Sequence, residues 1–379
     1  MILCVFLLLL PFVTSCSQLP TSNGQSSLDV SSSNKASITD IESEGAEIFW
    51  EVQHILLQND LPTEKQWQAL FQTPGYFELV ANEIPEQIFK QLFILAFKPS
   101  EYQKAEKLIN DGNIKARFIQ HLRSTQHQQQ ALSAFIKVFT NSYSKNYKEY
   151  VRLAQEYLPN TSTLFATLPK ISFSYFDNDA RGFKKRIVLD PLFALSNESS
   201  LKYWIAHEFH HYFSHDLAAF RQPEENTPDA DVMWILIQTQ LEGIADLVDK
   251  SQIYFQKGYM EDSLFAQIYK EKYQQSTTLL AGFDELFQQY SDMTYSQKAK
   301  QELAVQIRKS LPMAGHPTGY FMARAIEQYQ GKQALVSSIG NPFMFFTLYQ
   351  SAAIEHNTLY QFSQQTMRNI ELLEKKYAH

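Results

Sequence analysis

Cysteine is nearly missing from this chain: its 379 residues include two, Cys4 and Cys16, both close to the beginning. Beyond residue 16 no disulfide can form, and a chain of this length can bury a core large enough to do without one. Charge is sparse as well, at 19% of residues with a net value of -7. The basic run Lys184-Lys185-Arg186 is too brief to make a nucleic-acid surface, so a nucleic-acid partner is excluded. The apolar run from Ile2 to Leu10 is too short to cross a membrane as a helix, and it has the length of a signal-peptide core. No internal repeat is visible. What is abundant is aromatic side chains, 14% of the chain, in a polypeptide long enough for one to three globular domains.

Segments of the chain differ in kind. From Ser17 to about Ala36 the sequence is rich in Ser and poor in large apolar residues, the composition of a flexible tether with a reach of about 25 Å. Ordered structure is expected from about Thr39-Asp40, where a capping position precedes the stripe Ile41, Ile48, Phe49, Val52 and Leu56. Three- and four-residue apolar spacing predicts helices over Glu64 to Phe71, Glu86 to Phe97, Tyr102 to Ile109, Ile114 to Thr140 and Lys148 to Leu158, punctuated by Pro85, Pro99 and Pro159. The pattern changes at Ile171 to Phe176 and at Arg186 to Leu189, two short strands read as a hairpin, either of which could take an extended substrate along an open edge. Helices return afterwards, so the expected fold is mainly α, in the α+β sense, with a small hairpin or sheet.

The chemistry-bearing stretch is His207-Glu208-Phe209-His210-His211. No Gly or Pro interrupts Leu201 to Ser214, and Asn197 or Ser199 offers a cap, so a helix is expected. Two histidines four apart on one helical face can aim ring nitrogens at a single ion about 2.0 Å away, and Glu208 between them suits a general base. His215 shares that arc and reads as an ordinary polar residue, while His210 lies off it. Some thirty residues later, Glu242 and Asp246 stand one turn apart on a second helix, beside Gly243. Like charges at that spacing repel by a few tenths of a kcal/mol, and a nearby cation would remove the conflict. Glu242 would be the third metal ligand, and Asp246 would accept the other ring N–H of a ligating histidine. Gln238, Asp249 and Asp231 lie on the same arc and would suit an ordinary solvated face. Gly243 would admit another backbone closely.

In order and spacing, His207, Glu208, His211, Glu242 and Asp246 resemble the gluzincin metallopeptidases, and more closely bacterial families of zinc-dependent peptidases in which Glu-Gly-x-Ala-Asp recurs. The resemblance covers roughly Ile171 to Ala353. It implies one zinc ion held by His207, His211 and Glu242, with Glu208 as general base in peptide-bond hydrolysis. It also implies a donor to the developing oxyanion from the segment after the third ligand; Tyr320 is the first candidate and His316 the second. A metzincin is excluded, since Ser214 and Leu217 stand where Gly and His would be needed. The run Asn341 to Phe346 reads as core, and His54, His121 and His127 have no ligand-like spacing.

The beginning of the chain has a resemblance of its own: Val13-Thr14-Ser15-Cys16 after the apolar run is similar to the lipobox of bacterial lipoproteins. This implies removal of residues 1–15, acylation of Cys16 and a membrane anchor through that lipid. Ser17, which is not Asp, implies the outer membrane. The expected organisation is therefore a signal peptide (1–15), a lipidated tether (16–38), a helical region (39–160) and a zinc peptidase core (161–379) acting on a peptide or protein. The competing reading is a non-catalytic surface lipoprotein with a structural metal or none, which a closed four-ligand site would favour.

Overall fold

The computed structural model describes residues 40–113, 115–160, 165, 167–260, 262–291 and 294–378. The apolar leader, Cys16 and the Ser-rich tether lie outside the described residues. The fold is mainly helical with one four-stranded sheet. It divides into two compact units, one made of the described parts of Met1–Glu149 and Ser162–Leu201, the other of Tyr150–Thr161 and Lys202–His379.

The first unit opens with β1 (Ile41–Glu42) and α1 (Glu44–Leu57), followed by α2 (Glu64–Phe71), α3 (Pro74–Asn82), α4 (Glu86–Phe97), α5 (Tyr102–Asn110), α6 (Lys115–Ser124) and the start of α7 (Gln129–Gln155). Local chemistry sets several boundaries. Thr63 and Gln66 form a capping box at the start of α2, and Pro74 is among the first residues of α3. The helix expected over 114–140 is instead two. Ser124 Oγ and Thr125 Oγ1 donate back to the carbonyls of His121 and Leu122, satisfying groups that a continuing helix would use, and the chain turns before α7. From there α7 runs without interruption through 148, where a separate helix was expected.

The strands pair differently from the expected hairpin. β2 (Lys170–Phe173) and β4 (Arg186–Leu189) are parallel, and β3 (Ala180–Gly182) folds back antiparallel onto β4, giving the order β1-β2-β4-β3. The tight turn thus joins β3 to β4. Ile171, Phe173, Ile187, Val188 and Leu189 are all fully buried, as strands covered on both faces should be. Because β1 flanks β2 and β3 flanks β4, neither strand proposed for substrate pairing has an open edge. The sheet, assigned from sequence to the zinc-binding half, belongs to the unit built on the N-terminal helices. Phe49, Phe93, Phe97 and Tyr175 form its aromatic core, and the Tyr76 hydroxyl ties that core to the backbone of Tyr175, donating to its carbonyl at 2.8 Å and accepting from its N–H at 3.1 Å.

One carboxylate organises the end of the sheet. Asp190 caps α8 (Pro191–Ser196) by accepting from the N–H of Leu192 and Phe193, and its other oxygen takes the Phe176 N–H at 2.8 Å and faces His121 Nε2 at 2.9 Å. Both side chains are buried. Burial opposes a charge on His121, but the Asp190 carboxylate outweighs it and holds the imidazole pKa above its ordinary value.

The second unit contains α9 (Leu201–Ser214), α10 (Pro228–Val248), α11 (Lys250–Ile253), α12 (Leu264–Gln274), α13 (Ser276–Phe287), α14 (Gln297–Ser310), α15 (His316–Gln330), α16 (Lys332–Ser337), α17 (Pro342–Glu355) and α18 (Gln364–Tyr377). Thr227 and Pro228 start α10, and Asn341 and Pro342 start α17, each pair joining a side-chain cap to a pre-set φ. α10 packs against α14, α15 and α17. Phe343, Phe345, Phe346 and Tyr349 are core residues, as expected. No helix among the described residues is long and apolar enough to cross a membrane.

Candidate metal centre

α9 is buried on both faces. Ile205, Ala206, Phe209 and Phe213 fill the core on one side, while His207 and Glu208, 4% and 9% exposed, turn inward on the other. The histidine face therefore looks into the protein. Asn197 closes α8, its amide donating to the Phe193 carbonyl, and does not start α9. His210 is also buried; its Nε2 donates to the Tyr157 carbonyl at 3.0 Å, and burial together with the neighbouring His211 pulls its pKa down to about 3. His215 is half exposed and pairs with Asp216.

α10 brings Glu242 to the histidines. His211 Nε2 lies 2.9 Å from His207 Nε2 and 3.0 Å from Glu242 Oε2, and His207 Nε2 lies 3.4 Å from the same oxygen. Ligand atoms bound tetrahedrally at about 2.0–2.1 Å from one ion stand about 3.3 Å apart. The observed triangle fits that edge length, and two imidazoles with a carboxylate are a donor set suited to zinc. His211 and Glu242 keep 18% and 16% of their side chains accessible, so the group is not sealed from substrate or water. Among the described residues no fourth side chain brings a ligand atom within 4.8 Å of all three.

The carboxylates behind the triangle divide their work in a way the sequence did not indicate. Asp249 Oδ1 lies 3.0 Å from His207 Nδ1, whereas Asp246, expected in that position, is 3.7 Å away. Asp249 therefore orients the ring. Asp246 holds His316 instead, with both oxygens 3.1 Å from its Nδ1, and accepts from the Tyr269 hydroxyl at 2.7 Å. Both aspartates are fully buried. Burial disfavours charge throughout this group, yet the opposite charges prevail: Asp249 holds His207 well above the ordinary imidazole value, and His316 with His211 holds Glu242 well below the ordinary carboxylate value. Asp246 is likewise lowered, by His316 and Lys250. A divalent cation held by these groups would displace protons from them.

His316, rather than Tyr320, reaches the cluster. Its Nε2 lies 3.3 Å from Glu242 Oε2, and its ring stacks 6.2 Å from that of His207. Tyr320, one turn further along α15, is buried among Phe255, Tyr269 and Tyr273 with Arg324 beside it, and burial, partly offset by that arginine, pushes its pKa up to about 12. The helix crossing that brings His316 in is unusually close. A Cβ on Gly243 would stand 2.3 Å from the carbonyl carbon of Gly319, and one on Gly315, whose φ is +86°, would stand 2.5 Å from Thr239 Oγ1. Only glycine fits at either place.

The model of a family described as "Putative zinc dependent peptidase (DUF5700)" matches residues 67–358 of this chain. The chain belongs to that family. A comparison with curated proteins and another with solved structures found no match. Membership places the protein at the level of a zinc-dependent peptidase family, and the 67–358 match takes in His207, Glu208, His211, Glu242 and Asp246 as well as most of the helices before the sheet.

Proposed function

We propose that the protein is a zinc-dependent hydrolase of the gluzincin type, cleaving peptide bonds at one ion held by His207, His211 and Glu242. The observation that carries this reading is the triangle of ligand atoms at 2.9, 3.0 and 3.4 Å, drawn from two helices and matching a tetrahedral zinc edge. When bound, zinc acidifies a water molecule and polarises the scissile carbonyl. Glu208, buried beside His207 on α9, removes the proton from the attacking water and delivers it to the leaving amine. Asp249 fixes the His207 ring through Nδ1, leaving Nε2 as the nitrogen that would hold the ion. His316, oriented by Asp246, donates from Nε2 to the oxygen that gains charge in the tetrahedral intermediate. Three protein ligands and partial access support a catalytic over a closed structural site.

Lipid attachment at Cys16 and location in the outer membrane complete the proposal, on the strength of the Val13-Thr14-Ser15-Cys16 motif and Ser17. Glu208→Gln tests the chemistry, because it should keep zinc while losing peptide hydrolysis by two to four orders of magnitude. Hydrolysis at the parent's rate in that variant would remove the general base from the mechanism. Cys16→Ala should abolish labelling by a fatty acid and release the protein from membranes; labelling that persists would refute the anchor.

A further inference from the structure

Behind the zinc triangle lies a second donor set that the proposed mechanism leaves without an ion. His207, Asp246 and Asp249 place ligand atoms within 4.8 Å of one another, and all three are buried. By donor type alone this could be a second cation site sharing His207 with the first. A cation already stands there: Lys250 Nζ lies 2.5 Å from Asp249 Oδ2 and 3.6 Å from Asp246 Oδ1, with 6% of its side chain exposed. The ammonium sits over the ring of Trp204, 4.1 Å from its centroid, and is 5.6 Å from that of Tyr254. The backbone N–H of the same residue donates at 2.7 Å to Asp249 Oδ1, the oxygen that faces His207. One residue thus holds both oxygens of the carboxylate that orients a proposed ligand.

We propose that Lys250 is the built-in counter-cation of this centre, occupying the place of a second metal ion and so keeping the site mononuclear. The inference rests on the zinc reading above. A compact ammonium fits between the two carboxylates and over the indole, and its positive charge is what the pair requires. Removing the ammonium leaves two buried carboxylates without their cation, and a divalent ion is the chemistry that such a pair accepts.

The test is metal stoichiometry of the full chain, titrated first with zinc and then with manganese, for the parent, Lys250→Ala and Lys250→Arg. The expected result is one ion per chain in the parent and in Lys250→Arg, and two in Lys250→Ala. If Lys250→Ala is unstable alone, its melting temperature should rise with manganese far more than the parent's does. One ion in Lys250→Ala at saturating manganese, or a variant that manganese fails to stabilise, overturns the inference while leaving the zinc reading intact. A parent that binds no zinc at all overturns the zinc reading itself.

Discussion

Two glycines in helix interiors should respond to the same substitution with opposite signs. Intrinsic propensity favours Ala over Gly by about 1 kcal/mol at either position. At Gly282 in α13 a Cβ would meet nothing within 4 Å, so Gly282→Ala should stabilise by about that amount. At Gly243 in α10 the same Cβ would stand 2.3, 2.5 and 2.6 Å from three backbone atoms of Gly319, where ordinary contact begins near 3.4 Å. Backbone cannot rotate away as a side chain can, so α10 and α15 must part by about an ångström. Three backbone contacts this short put the cost at the upper end of overpacking, about 3 kcal/mol, which outweighs the propensity gain of about 1 and leaves a net loss near 2 kcal/mol. For a unit of this size that lowers the melting temperature by about 4–8 °C. The displacement also falls on the site, since Glu242 precedes Gly243 and His316 lies one turn before Gly319, so the 3.3 Å approach of their side chains should lengthen. Thermal unfolding of parent, Gly243→Ala and Gly282→Ala, with peptide hydrolysis measured alongside, checks both signs. A Gly243→Ala protein that melts at or above the parent temperature would refute the close crossing as the device that positions His316.

Asp249→Asn should weaken zinc binding by about 10–100-fold, measured by competition with a chelator, because His207 loses the carboxylate that orients its ring; unchanged affinity would return that role to Asp246. The first unit carries a pH signature of its own. His121 has a folded pKa above its unfolded value, so its stabilising contact with Asp190 is fully present below about 6.5 and declines as pH rises through the folded value. Parent stability relative to His121→Gln should therefore shrink between mildly acidic and alkaline buffers, in denaturant titrations, and an advantage that grows with pH would contradict the assignment. Asp190→Ala should cost the first unit about 3–5 kcal/mol, since it removes a helix cap and leaves a buried imidazole unpaired; a loss below 1 kcal/mol would show the network to be redundant.

Much of this molecule is legible locally. The α2 and α4 boundaries follow from apolar spacing, with a capping box before α2 and Pro85 before α4, and the pairing of His207 with His211 follows from the helical repeat. Strand pairing is not local: Ile171 to Phe176 and Arg186 to Leu189 look alike whether parallel or antiparallel, and what decided the matter was the short strand Ala180–Gly182 between them. Asp249 was visible on the Glu242 arc but looked like part of a solvated face, because a sequence shows which side a carboxylate is on and not what covers it. Tyr269, 23 residues beyond Asp246, gives no local signal. Nor does Lys250, whose burial between two aspartates reverses what its type suggests. The resemblance names Tyr320 first and His316 second as oxyanion donor, and the turn of helix between them carries the Tyr320 ring into an aromatic core.

The central claim is that His207, His211 and Glu242 hold one catalytic zinc ion, and metal content tests it most directly. Elemental analysis of the purified parent after exposure to zinc and desalting should give one zinc per chain, and Glu242→Ala treated identically should give little. Absence of bound zinc in the parent, or equal zinc in both proteins, would contradict the account.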